Sequence, residues 1–162
     1  MTARIREARL PDDKSAILDF MFALQRIEAA FEPNRRLDAR MPEDHYAALI
    51  RHVAAHNGKI FIAEDETARA LGWAAVHEDE GDIFIRAEER VHGFLAELYV
   101  VEASRGAGVG RALIAACEDW ARGRGLVSLR IGLLARNADA LKVYERAGYT
   151  PYALQMRKYL RP

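Results

Sequence analysis

From Phe94 to Val101 the chain reads Phe-Leu-Ala-Glu-Leu-Tyr-Val-Val, an apolar run rich in β-branched and aromatic residues. That composition predicts a strand. A turn follows over Glu102-Ala103-Ser104. Apolar residues then recur at Val109, Ala112, Leu113, Ala116, Cys117 and Trp120, the spacing of a helix. Working forward from the start of the chain, residues 4–8 read as a first strand. Pro11-Asp12-Asp13 opens a helix with an Asp able to cap it, and Ile17, Phe20, Met21, Leu24, Ile27 and Phe31 form its apolar stripe. Glu32-Pro33-Asn34 breaks that helix, and residues 35–41 form a polar, arginine-rich linker. Pro42 suits the first turn of a second helix, with Tyr46, Leu49, Ile50 and Val53 facing inward. Asn57-Gly58 ends it. From Lys59 the pattern turns to β. Strands are expected over 59–63 and 70–77, separated by an acidic turn, Glu64-Asp65-Glu66. A charged loop over 77–82, a short strand over 82–86 and a polar stretch over 87–93 complete this half. Gly123 and Gly125 terminate the central helix, 126–133 forms another strand, and Asn137 opens a last helix that Gly148 ends. Residues 152–160 are expected to close the sheet. No internal repeat or interdomain linker is visible. Strands first, then strands alternating with helices, give one mixed α/β domain.

Composition narrows the classes of function. The chain has 162 residues and a formal net charge of zero. It is long enough for one sizeable core, and its balance lacks the basic excess of a general nucleic-acid binder. No apolar run approaches the ~20 residues of a membrane span. The opening residues MTARIREARLPDD contain no apolar leader core, and the single cysteine, Cys117, allows no internal disulfide. A cytoplasmic protein is the expectation.

The stretch between strand and helix, Arg105-Gly106-Ala107-Gly108-Val109-Gly110-Arg111, carries the chemistry. A helix that opens in glycines exposes unpaired backbone N–H groups and the positive end of its dipole. Without Cβ atoms in the way, a phosphate can approach those groups closely. The spacing does not fit a P-loop, which needs a second Gly followed by Lys-Ser/Thr. It does not fit G-x-G-x-x-G either. What remains is Arg-x-x-Gly-x-Gly at Arg105, Gly108 and Gly110, or else a tight turn without a ligand.

At this point the chain resembles the GCN5-related N-acetyltransferases, whose acetyl-CoA motif is Arg/Gln-x-x-Gly-x-Gly/Ala after a strand. A second stretch, NADALKVYERAGY over 137–149, resembles the family's last-helix motif at Asn137, Ala140, Tyr144, Arg146, Gly148 and Tyr149, with Val143 in place of the usual Phe or Leu. The resemblance covers the chain from about Ile60 onward. It implies a mixed, largely antiparallel twisted sheet flanked by helices. A V-shaped splay would open between the central strand and the next, and acetyl-CoA would enter there as co-substrate. A homodimer is common in the family.

Amine acetylation requires that the donor be held, that the attacking nitrogen be neutral and that the leaving thiolate be protonated. An alkylamine is mostly protonated at pH 7, since Lys titrates near ~10.4, so some group must accept its proton. By resemblance, the N–H groups of residues 105–111 face the pyrophosphate, with Arg105 or Arg111 adding a charge-assisted contact. The edge of the strand at Leu98, Tyr99 and Val100 pairs with the pantetheine amides, and the N–H near Tyr99 or Val100 polarises the thioester carbonyl. Asn137 hydrogen-bonds the pantetheine arm. Arg146 reads as a partner for the 3′-phosphate or as a solvated helix arginine. Glu97 interrupts the apolar strand beside the thioester site. It reads as a base acting directly or through water, or as a structural carboxylate paired with an arginine. Tyr144 reads as the acid that protonates the thiolate, or as a core tyrosine.

Other signals are blander. His52 and His56 have metal-ligand spacing but lack a Glu between them and an evident third ligand, so no metal is expected. Cys117 lies on the apolar side of its helix, where thiols are inert. The clusters Glu64-Asp65-Glu66 and Glu78-Asp79-Glu80 read as solvated turns. The resemblance implies an acceptor pocket lined by the first two helices and by the loops before the central and last strands, which here include Phe22, Arg26, Phe31, Trp73, Arg86 and Tyr152. A small-molecule amine is the first reading of the acceptor. A protein N-terminus or lysine is the second, with the arginine-rich linker and the loop over 82–93 forming a peptide groove. A non-catalytic acyl-CoA sensor is the reading from another class.

Overall fold

A computed structural model describes residues 3–160; the first two residues of the opening MTARIREARLPDD stretch lie outside them. The elements run β1 (Arg4–Glu7), α1 (Lys14–Ala29), α2 (Met41–Ala55), β2 (Lys59–Glu64), β3 (Ala70–Glu80), α3 (Ala87–Arg90), β4 (Val91–Val100), α4 (Val109–Gly123), β5 (Leu129–Ile131) and α5 (Ala138–Arg146). A 3₁₀ turn over Glu102–Ser104 links β4 to the glycine stretch. The sheet order is β1-β2-β3-β4-β5, antiparallel up to β4 and parallel between β4 and β5. Among the described residues no helix is long and apolar enough to cross a membrane.

Each face of the sheet carries its own core. On one side Ile17, Phe20 and Met21 of α1 and Leu49 and Val53 of α2 pack on Ile60, Ile62, Trp73 and Ala75. On the other, Val109, Leu113, Ile114 and Cys117 of α4 cover Ala63, Leu71, Ala74, Val76 and Leu95. The period-3.6 and period-2 patterns of these segments meet as expected. An ion-pair network, not legible in the apolar pattern, ties β1, β2 and the start of α1 together. The Arg6 guanidinium donates to Glu64 Oε2 at 2.5 Å and in fork geometry to both Asp13 oxygens at 2.7 and 2.8 Å. The side chains of Arg6, Asp13 and Glu64 are only 14%, 11% and 8% exposed.

Several boundaries differ from the sequence reading. Asp13 stands at the start of α1 but does not cap it with its side chain. Its carboxylate instead serves Arg6 and the backbone N–H of Arg9. Glu64 is no solvated turn residue: it ends β2 and is buried beneath Arg6. The segment 77–80 continues β3, because β4 starts at Val91 and supplies partners out to Glu80↔Val91. No strand forms over 82–86; that stretch leads into α3, where Arg86 pairs with Glu89. β5 is cut from the expected eight residues to three. Residues 152–160 form no strand and leave Tyr152, Leu154 and Met156 exposed. Alternation alone does not secure a strand; the segment also needs a partner edge, and β5 presents a short one.

Two features of β4 position the site. Its pairing with β5 ends at Leu95↔Ile131, so 96–100 have no partner on that edge. This is the splay that the family resemblance implies. A β-bulge lies at the same point: Ala75 pairs with Glu97 and Val76 with Leu95, leaving Ala96 as the extra residue. Such an insertion re-aims the side chains beyond it. Glu97 consequently faces α1 and α2 and not the apolar underside of α4.

Candidate active site

The splay opens into a cavity of about 660 Å³ between α1, α2, β4 and α5, within the usual size for small-molecule sites. Leu24, Gln25 and Glu28 of α1 line one wall; Met41, Asp44 and His45 of α2 line another. Ala96, Glu97 and Leu98 form the strand edge, and Asn137, Ala140 and Tyr144 close the cavity from α5. Asn34, Arg35 and Arg36 rim it from the α1–α2 connection.

The cavity's polar groups are already organised in pairs. His45 Nε2 lies 2.9 Å from Glu97 Oε1, with side chains 28% and 11% exposed. This contact raises the His45 pKa above the ordinary imidazole value against the opposing pull of burial, and Glu28 adds to the rise. Glu28 lies 2.9 Å from Arg35 Nε. Burial raises the Glu28 pKa, and Arg35 partly offsets it. The Tyr144 phenol is pushed up to about 12, first by burial and then by the carboxylates of Glu28 and Glu97. It therefore stays a neutral donor through the physiological range.

Asn137 is the N-cap of α5, its side-chain oxygen accepting from the Ala140 N–H at 3.1 Å. The cap uses its oxygen, and among the described residues its amide N–H₂ has no hydrogen-bond partner. Leu98, Tyr99 and Val100 occupy the unpaired part of the β4 edge, and Arg105 returns to donate to the Val100 carbonyl at 3.1 Å. Beyond it the glycine turn lies outside the cavity lining. Gly106 and Gly108 have φ of 77° and 85°, the left-handed region open to glycine. A Cβ at either would meet no atom within 4 Å, so the groove over them is open. Among the described residues, the N–H groups from Gly106 to Arg111 have no hydrogen-bond acceptor, while Ala112 is the first to return to a carbonyl, that of Gly108. Gly106, Ala107, Gly108, Val109, Gly110 and Arg111 thus present a run of free donors at the head of α4, the chemistry an anionic group requires. Arg111, in the first turn of α4, and Arg146, in the last turn of α5, are exposed.

Of the site residues expected from the sequence, Glu97, Leu98, Asn137, Ala140 and Tyr144 line the cavity. The first two helices line the cavity, but through other residues: none of Phe22, Arg26, Phe31, Trp73, Arg86 or Tyr152 is in its lining. Trp73 is fully buried in the core, and Tyr152 lies under Arg130, 4.2 Å from guanidinium to ring centre. The phase of α1 turns Leu24 and Glu28 inward instead. Glu97 is indeed paired, though its partner is His45 and not an arginine. Sequence reasoning misses His45, although it stands midway between Met41 and Leu49 at helical i, i+4 spacing, both buried. A polar residue in such a row signals a purpose-built position. The remaining candidates are inert or differently engaged. Burial pushes the Cys117 thiol up to about 12, which withholds its thiolate. His52 stacks on His56 with ring centres 4.1 Å apart and meets His77 edge-on. Among the described residues no group of three or more His, Cys, Asp or Glu is placed to hold a metal ion.

A sequence model of the acetyltransferase (GNAT) family matches residues 21–149. The chain is 33% identical over 123 residues to an aminoglycoside N(6′)-acetyltransferase type 1 of Klebsiella aerogenes, covering 74% of this chain and 77% of the relative. A crystal structure from Bacillus halodurans superposes with a TM-score of 0.83 at 17% identity, over 98% of this chain and 99% of that one. Glucosamine-6-phosphate N-acetyltransferase of Arabidopsis thaliana superposes with a TM-score of 0.69 at 17% identity, over 99% and 100% of the two chains.

Proposed function

The chain belongs to the acetyltransferase (GNAT) family and is an N-acetyltransferase; from that premise we propose that it acetylates the primary amine of a small molecule by direct transfer from acetyl-CoA. The observation that carries this reading is the convergence of Glu97, His45 and Tyr144 on one cavity where β4 loses its partner strand. Acetyl-CoA supplies the activated acetyl thioester. The free N–H run from Gly106 to Arg111 fits its pyrophosphate, and the edge at Leu98, Tyr99 and Val100 offers backbone groups to its amides. Asn137 donates to the same arm, and Arg105, Arg111 and Arg146 supply positive charge. Glu97 provides the negative charge toward which the ammonium proton moves, and Tyr144 donates to the departing thiolate.

A small acceptor is favoured by the size of the cavity and by relatives named for aminoglycoside and glucosamine-6-phosphate acetylation. A peptide groove is not favoured, because no residue of 82–93 reaches the cavity lining. Thiol release from acetyl-CoA should be followed with a linear diamine, an aminoglycoside, a free amino acid, glucosamine 6-phosphate and a lysine peptide. Release with a small amine and not with the peptide is the expected result. Tight acetyl-CoA binding with no release on any of them would make the chain an acyl-CoA binder.

The donor half is tested separately. Gly108→Val places a β-branched side chain at a φ of 85°, in the middle of the free N–H run. Acetyl-CoA affinity should fall at least tenfold, about 1.4 kcal/mol, by calorimetry on the folded variant. Gly108→Ala, which adds strain with little bulk, should lose less. Wild-type affinity in Gly108→Val would remove the phosphate cradle from the reading.

A further inference from the structure

We infer that His45 is the group that takes the proton from the acceptor amine, and that Glu97 acts through it as the carboxylate that holds and orients its ring. The inference rests on the acetyl-transfer reading and assigns the proton's destination within it. His45 and Glu97 both line the cavity, and their contact is 2.9 Å from Nε2 to Oε1. A neutral ring that donates across that contact carries its proton on Nε2 and has its lone pair on Nδ1. The other half of the ring is free. Nδ1 of His56, His77 and His92 each meets a backbone carbonyl, at 2.8, 2.7 and 3.1 Å, whereas no hydrogen bond engages Nδ1 of His45 among the described residues. A carboxylate beside one nitrogen of an imidazole whose other nitrogen is unengaged is the arrangement of a general base with its orienting partner.

The carboxylates around His45 act on it in one direction, against the pull of burial. Glu97 on β4 and Glu28 on α1 favour its cation. Arg35 neutralises part of Glu28, and Asp44 is occupied by Arg36 at 3.0 Å. Tyr144 on α5 faces the same space as a neutral phenol. A base whose pKa is lifted toward that of its substrate accepts the proton more readily. The protons balance. One passes from the ammonium to His45 Nδ1, and the freed lone pair forms the N–C bond as the C–S bond breaks. A second proton leaves the acylated nitrogen and replaces the one Tyr144 gives to the thiolate. His45 then releases its proton to solvent.

The test compares pH profiles of kcat/KM for wild type, His45→Gln and Glu97→Gln, using the fastest amine of the panel. Wild type should rise to a plateau well below the amine's own pKa. His45→Gln should lose that plateau and climb with the amine's deprotonation alone, with a defect of about 10²-fold at pH 7 that shrinks as pH rises. Glu97→Gln should keep a plateau whose onset lies at lower pH, because the charge that favoured the imidazolium is gone. If instead Glu97→Gln loses the plateau and His45→Gln keeps it, Glu97 itself is the acceptor and the inference falls. A wild-type profile in His45→Gln overturns it equally. No turnover by wild type on any amine overturns the acetyl-transfer reading and this inference with it. Acetyl-CoA affinity measured on each variant verifies folding. If His45→Gln fails that check, the direction of the Glu97→Gln change decides alone.

Discussion

Tyr144→Phe is expected to lower kcat about 10²-fold while leaving acetyl-CoA affinity within twofold, the scale of general acid catalysis by a positioned side chain. The ring is half-buried, packs against the core under α4 and lies 6.2 Å from the ring of Tyr149. Phenylalanine retains that packing and removes only the hydroxyl. Burial and the two nearby carboxylates keep the phenol protonated up to about pH 12, so the donor is present at every practical assay pH. The Tyr144→Phe defect should therefore stay constant from pH 6 to 9, unlike that of His45→Gln. Single-turnover thiol release and calorimetric binding of acetyl-CoA measure the two effects. Normal turnover would mean that the departing thiolate needs no acid from the protein. Positioning by the strand edge and the glycine turn would then supply most of the catalysis.

Arg6→Met should destabilise the fold by about 3 kcal/mol, the lower end of the cost of breaking a buried ion pair. The lower end applies because Arg6, Asp13 and Glu64 each retain a small window on solvent. The variant keeps the packing of a long side chain but leaves Asp13 with only the Arg9 N–H and Glu64 with only Arg4, 3.7 Å away, at the junction of β1, β2 and α1. Its pH dependence follows from linkage. In the wild type the fork from Arg6 lowers the Asp13 pKa below its unfolded value. That contribution is complete above the unfolded value, about 3.9, and is lost as pH falls through the lower folded value. In Arg6→Met Asp13 loses the partner that favoured its charged form, so the deficit should narrow on acidification. Urea unfolding at pH 7 and pH 3 measures both effects. A loss under 1 kcal/mol at pH 7 would show that solvent screens the network.

The elements that fill the two cores were legible because their periods are strong and their partners lie in neighbouring segments. α4 and the first four strands come directly from apolar spacing. Elements that depend on an edge were not legible: β5 has three residues, and 152–160 has the alternation of a strand without the pairing. The donor half of the site could be read from Arg105, Gly108 and Gly110, because backbone geometry at a helix start is dictated locally by glycine. The acceptor half could not, since it is built from side chains brought together across long separations. Glu28, Arg35 and His45 lie more than fifty residues before Glu97, and no local pattern marks them. Arg6, Asp13 and Glu64 escaped for the same reason.

The extra residue at Ala96 divides β4 by parity. Up to Phe94 the even positions look toward α1 and α2, with Phe94 against His77; from Glu97 the odd positions do, with Tyr99 against Phe20. The odd positions before the bulge and the even ones after it look toward α4, as Leu95 and Leu98 do. Counted by strict alternation from Leu95, position 97 is a core position beneath α4, where a carboxylate has no partner. A one-residue change in the length of this strand is therefore a change of chemistry and not of spacing, because it exchanges an acid for a leucine at the mouth of the splay.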